Sequence, residues 1–131
     1  MDHKEYNQIK NQLLEHCQKI MNAKQPEYTN NNLDVLNNFK SSANRLKLTP
    51  QEVWAVFLDK QVQSIITHAG NPNMHQAEPI ESRYCDAINY LFLGFALHIE
   101  HMKEKHEDLN LIYRSIEYLF RSSILVFKKR C

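Results

Sequence analysis

Only two glycines, Gly70 and Gly94, punctuate this 131-residue chain, and four prolines are the only other strong breakers. Sandwiches and barrels need turn residues roughly every 8 to 12 positions, so sheet-rich architectures are excluded and helices remain. A Gly-rich phosphate loop is excluded for the same reason. The chain is 43% apolar and 24% charged, within the range of folded globular domains, and its length suits one domain over residues 1–131. Sixteen basic against 15 acidic side chains give a net charge of +1, without the positive excess that phosphate backbones attract, so nucleic acid is not the expected partner.

Hydrophobic spacing locates the helices. Tyr6, Ile9, Leu13, Cys17 and Ile20 recur at steps of three and four, which predicts an amphipathic helix over 3–22 and a loop around Pro26. Thr29 to Asn32 offer N-caps for a second helix carrying Leu33, Leu36, Phe39, Ala43 and Leu46 and ending near Lys47. Thr49-Pro50-Gln51-Glu52 is a complete capping box, so a third helix starts there and runs to Gly70, where a left-handed cap is expected. Pro79 opens a fourth helix over 79–105, with Glu78 at the cap and an apolar middle from Ala87 to Ile99 that predicts a central, buried element. A last helix is expected from Asp108, closed by Lys128, Lys129 and Arg130. The expected fold is an all-α bundle of about five helices with short connections.

Three cysteines, odd in number and far apart, suit neither a disulfide framework nor a paired zinc knuckle. The polar start from Asp2 to Glu5 has no secretory character, and Ala87 to Ile99 falls short of the ~20 residues a bilayer crossing needs, so an intracellular setting without membrane insertion is expected. His98 and His101 lie one turn apart, but no further zinc ligands stand at a known spacing from them.

Ionisable groups fall against the most apolar helix between Glu78 and Asn89. At about 100° per residue, Glu78, Ser82, Cys85, Asp86 and Asn89 share one stripe with Glu81 on its edge. Glu78, Glu81 and Asp86, with Asn89, could be gathered by a hard cation such as Mg²⁺, which takes carboxylate oxygens and keeps waters for a phosphate. Lys60 and Arg83 are the obvious cationic partners for Asp86 or for a ligand phosphate. The alternative is architectural: Glu78 and Glu81 cap the helix, and Asp86 and Asn89 satisfy buried polar groups. Trp54 and Phe57 divide the same way, between core packing and stacking on a base.

The run from Leu36 to Leu93 resembles small bacteriophage proteins of the nucleotide modification associated domain 1 type. The residues that carry the resemblance are Asn38-Phe39, Leu48 to Trp54, Asp59-Lys60, Glu78 to Arg83 and Asp86 to Leu91, within a family-like core of about 33–100. In that family a helix with a Lys precedes a helix carrying Glu-x-x-x-x-Asp and a Tyr, matched here by Lys60, Glu81, Asp86 and Tyr90. The family is distantly similar to the all-α MazG-type nucleotide pyrophosphohydrolases, whose paired acidic helices hold Mg²⁺ against a triphosphate. Glu78-x-x-Glu81 matches the first acidic pair, whereas the second reads Asp86-x-x-Asn89, an amide for a carboxylate, on the same helix.

The resemblance implies a phage-type protein that binds or processes a nucleotide or a nucleotide-derived signal. Glu78, Glu81 and Asp86 would be the catalytic, Mg²⁺-binding carboxylates. Lys60 and Arg83 would meet phosphate, and Asn89, Tyr90 and Trp54 would orient the ligand. If the protein is an enzyme, the expected reaction is Mg²⁺-dependent phosphoanhydride hydrolysis. The alternative is a non-enzymatic binding or inhibitor protein of anti-defence type, which occupies a host protein or sequesters a signalling nucleotide. The apolar stripes Tyr6 to Ile20 and Leu109 to Phe127 add the expectation of a homodimer.

Overall fold

A computed structural model of the chain describes residues 1–105, 114 and 116–118. The protein is an all-α bundle, and no strand occurs among the described residues. The four fully described helices are α1 (His3–Thr29), α2 (Asn37–Leu46), α3 (Pro50–Gly70) and α4 (Ile80–Glu104). Residues 114 and 116–118 are helical, and the remainder of the helix expected from Asp108 lies outside the described residues. The chain divides into two compact units, Met1–Leu97 and His98–Cys131, and the features below belong to the first. No helix among the described residues is long and apolar enough to cross a membrane.

α1 is a full turn and more longer than its hydrophobic period predicts. Asp2 caps it, its carboxylate accepting from the Glu5 amide at 2.8 Å. The helix runs through Pro26, which has no N–H to donate one turn back, and closes instead on local bonds. Thr29 Oγ1 donates to the Gln25 carbonyl and the Asn31 amide to that of Pro26, both at 2.9 Å. Asn30 and Asn31 then turn left-handed, at φ 51° and 57°. Asn tolerates that region better than other residues with a Cβ, so the asparagine cluster ends α1 rather than starting α2. Leu33, expected on the second helix, is fully exposed in the connection.

α2 and α3 form a tight local pair. Lys47 caps α2 in the left-handed region, and the Leu48 amide bonds back to the Ala43 carbonyl. Thr49 begins the capping box at once, its hydroxyl accepting from the Glu52 amide while Glu52 accepts from the Thr49 amide at 2.7 Å. These bonds hold the Glu52 carboxyl below its usual pKa, because they favour the charged form. Gly70 is the last helical residue of α3 and has no positive φ, so the expected left-handed glycine cap is absent. Asn71 caps instead, its amide donating to the Thr67 and His68 carbonyls.

The core gathers Leu36, Phe39 and Ala43 around Val53 of α3 and Leu97 of α4, with Trp54, Phe57 and Tyr90 packed against them. Gly94 is required there. A Cβ at that position would fall inside the indole of Trp54. Its absence also lets Trp54 Nε1 reach the backbone carbonyl of Tyr90 at 2.6 Å, one helical turn before Gly94. α4 crosses α1 antiparallel, as Asn89 Nδ2 donates to the Cys17 carbonyl and Asp86 meets Lys24 further along α1. Leu91, Phe92 and Phe95, which the apolar middle of α4 places inside, are more than half exposed.

Candidate functional site

A cavity of about 430 Å³ opens between the four helices of the first unit. α1 contributes Met21, Lys24, Gln25 and Thr29. Val35 and α2 contribute Asn38 and Phe39 beside it, and α3 adds Phe57, Lys60 and Gln61. Glu78, from the connection before α4, and Arg83, Asp86, Asn89, Tyr90, Phe92 and Leu93 complete the wall. Six of the eight residues singled out from the sequence lie here: Lys60, Glu78, Arg83, Asp86, Asn89 and Tyr90. Trp54 and Glu81 do not line it. Trp54 is committed to the core, and Glu81 is exposed in the first turn of α4.

The charged groups are arranged as two ion pairs and one uncommitted cation. Asp86, deep on the wall, is met by Lys24 at 3.2 Å, rather than by Lys60 or Arg83. Arg83 reaches Glu78 at 3.3 Å and donates to Gln61 Oε1 at 3.4 Å. Lys60 is exposed and has no partner among the described residues.

Two of the lining amides are buried. Gln61 is 5% exposed and Asn89 9% exposed, and each uses only half of its hydrogen-bonding capacity. Gln61 Oε1 is taken by Arg83 and Asn89 Nδ2 by the Cys17 carbonyl. The Gln61 NH₂ and the Asn89 carbonyl oxygen have no partner among the described residues. Neither atom is sealed from solvent, so both are open to water or to a ligand in the cavity.

The apolar part of the wall is aromatic. Phe57 and Tyr90 stack with centroids 5.9 Å apart and planes 13° from parallel, and Phe39 meets both edge-on. Phe92, 60% exposed, presents a ring at the open side.

The three carboxylates expected to hold Mg²⁺ are not gathered in one place, and among the described residues no three His, Cys, Asp or Glu side chains are. Asp86 and Glu78 each face a cation, and Glu81 is off the cavity. The wheel that aligned them assumed that Glu78 lies on the helix, whereas α4 starts at Ile80 and Glu78 belongs to the preceding connection. Two of the three carboxylates face cations and the third stands off the cavity, an arrangement unlike the open oxygen cage an octahedral cation takes.

Behind the cavity wall, Cys85 and Cys17 are fully buried and in contact across α4 and α1. Burial pushes the Cys85 thiol up to about 12, with the Cys17 hydrogen bond adding to the shift. Such a thiol is not a nucleophile at neutral pH, so Cys85 is a small core residue.

Lys24, Gln61 and Asn38 are the site residues that the sequence reading missed. The loop expected at Pro26 put Lys24 beyond the helix, and nothing in the spacing of α3 separates Gln61 from a solvent-facing glutamine. No family model, curated protein or solved structure matches the chain. The resemblance to the phage nucleotide modification family therefore rests on the quoted residues alone.

Proposed function

We propose that this protein binds a nucleotide-class small molecule in the cavity between α1, α2, α3 and α4, as a binding protein rather than a metal-dependent hydrolase. The observation that carries this reading is the uncommitted Lys60 beside an amide donor and an amide acceptor that no described residue occupies and that solvent still reaches. Lys60 supplies charge for a phosphate, the Gln61 NH₂ and the Asn89 carbonyl oxygen supply the polar edges a base or sugar needs, and Phe92 supplies a ring face. The volume suits a small ligand, since such pockets span about 300–1,000 Å³ and are mainly apolar with a few convergent polar groups. The resemblance to phage proteins of nucleotide metabolism points the same way, towards sequestering or sensing a nucleotide-derived signal.

The test is calorimetric titration of the full chain with a nucleotide panel, with and without Mg²⁺, followed by assay for released phosphate and pyrophosphate. Binding that needs no Mg²⁺, is lost in Lys60→Ala and yields no product is the expected result. Mg²⁺-dependent release of pyrophosphate that Asp86→Ala abolishes would overturn the binding-only reading.

A further inference from the structure

The charges on the cavity wall restrict the ligand further. Three cations, Lys24, Lys60 and Arg83, stand against two carboxylates, Glu78 and Asp86, so the lining carries one uncompensated positive charge. The pairs are not equally fixed. The Asp86 side chain is mostly buried beside Lys24, and a carboxylate in that position cannot release its cation without being stranded. Glu78 is more than half exposed and can give up Arg83 to water at little cost, while Arg83 itself is mostly buried and held by Gln61.

We infer that the cavity takes a nucleotide with a single phosphate, a monophosphate or a cyclic phosphodiester, in preference to a polyphosphate, and that Glu78 is the internal competitor that sets this limit. The inference rests on the nucleotide reading of the cavity. A phosphodiester carries one negative charge, a monoester about 1.5 to 2 and a triphosphate about 4 at neutral pH. Lys60 matches the first, and Lys60 with a partly released Arg83 matches the second. A triphosphate would bring further charge against Asp86 and Glu78 without any cation left to meet it. Glu78 also does for Arg83 what a phosphate would do, so a more highly charged ligand must displace it.

The experiment is titration of the full chain without Mg²⁺, using cyclic 3′,5′-monophosphates, 5′-monophosphates and 5′-triphosphates of adenosine, guanosine and cytidine, with inorganic phosphate as the minimal probe. For whichever base binds, a single-phosphate form is expected to bind at least tenfold more tightly than the triphosphate. Glu78→Gln is expected to narrow that gap by threefold or more, mainly by strengthening the triphosphate. The cyclic and open monophosphate arms separate diester from monoester. A triphosphate that binds as tightly as the monophosphate, or a gap unchanged in Glu78→Gln, overturns this inference and leaves the nucleotide reading standing. Failure of every probe to bind, or binding indifferent to Lys60→Ala, overturns both. Glu78 and Lys60 are exposed, so circular dichroism of both variants is expected to match the parent protein.

Discussion

On the flank of α4 that carries Gly94 and Leu97, the neighbours from α2 and α3 are apolar, and the indole N–H that enters among them finds the Tyr90 carbonyl. On the flank that carries Asp86 and Asn89, neighbouring helices bring Lys24, Lys60 and Gln61 to a space they do not fill. The same helix therefore serves two ends. The first flank satisfies its polar atoms internally and fills its volume. The second leaves a cation, a donor and an acceptor without partners among the described residues, a pattern that contributes little to stability and suits an outside ligand.

Breaking the core flank should have the largest effect. Leu97→Ala is expected to cost about 2–5 kcal/mol in denaturant unfolding, the range for deleting a buried leucine side chain, while leaving nucleotide affinity intact well below the melting temperature. Gly94→Ala should follow. A mid-helix Gly→Ala change ordinarily gains about 1 kcal/mol, but here the methyl meets the indole, so a net loss of about 1–3 kcal/mol is expected. Adding Trp54→Ala should recover part of that loss, and strict additivity in the double-mutant cycle would contradict the close contact.

The cavity flank should behave in reverse. Lys60→Ala is expected to change stability by no more than about 0.5 kcal/mol while weakening ligand binding, and a large fall in melting temperature would make that wall architectural.

The smallest effects are at the pH extremes. Lys40 beside Asp34 holds its carboxyl below the usual range, so this contribution is complete above about pH 4 and is lost as pH falls through the lowered folded value. Asp34→Asn should flatten the acid limb of the stability curve. Cys85 has the opposite sign. Its folded value is raised, so stability is complete below the ordinary thiol range near pH 8.5 and declines as pH rises towards about 12. In a Cys131→Ser background the two remaining thiols should resist a thiol reagent until the protein unfolds.

How much of this was legible depends on whether the signal was local. The capping box at Thr49 and the end of α2 near Lys47 stand where expected, whereas the left-handed conformation of Lys47 has no signal in its residue type. The end of α1 lies beyond the expected loop because the helix tolerates Pro26 and stops only at the left-handed asparagines. The stripe on α4 correctly joined Asp86 to Asn89, but the partner of Asp86 was hidden, since Lys24 arrives from a helix that had been ended too early. Glu81 is the same residue type as the cavity's Glu78, and Trp54 is aromatic like its Phe57 and Tyr90, so only the packing of the helices separates them. Likewise, hydrophobicity alone could not tell the buried Leu97 from the exposed Phe92, because both sit in one apolar run.

The bonds that fasten α4 to α1 join residues 72 and 62 positions apart, whereas α2 and α3 are joined by Lys47, Leu48 and Thr49 alone. Closing so long a loop comes late, after the local hairpin of helices has formed, so the chamber is assembled near the end of the folding reaction. A guest that fits it would then find nothing to grip in the transition state. It should lengthen the lifetime of the native protein and leave the speed of refolding untouched, with only the unfolding arm of the chevron displaced.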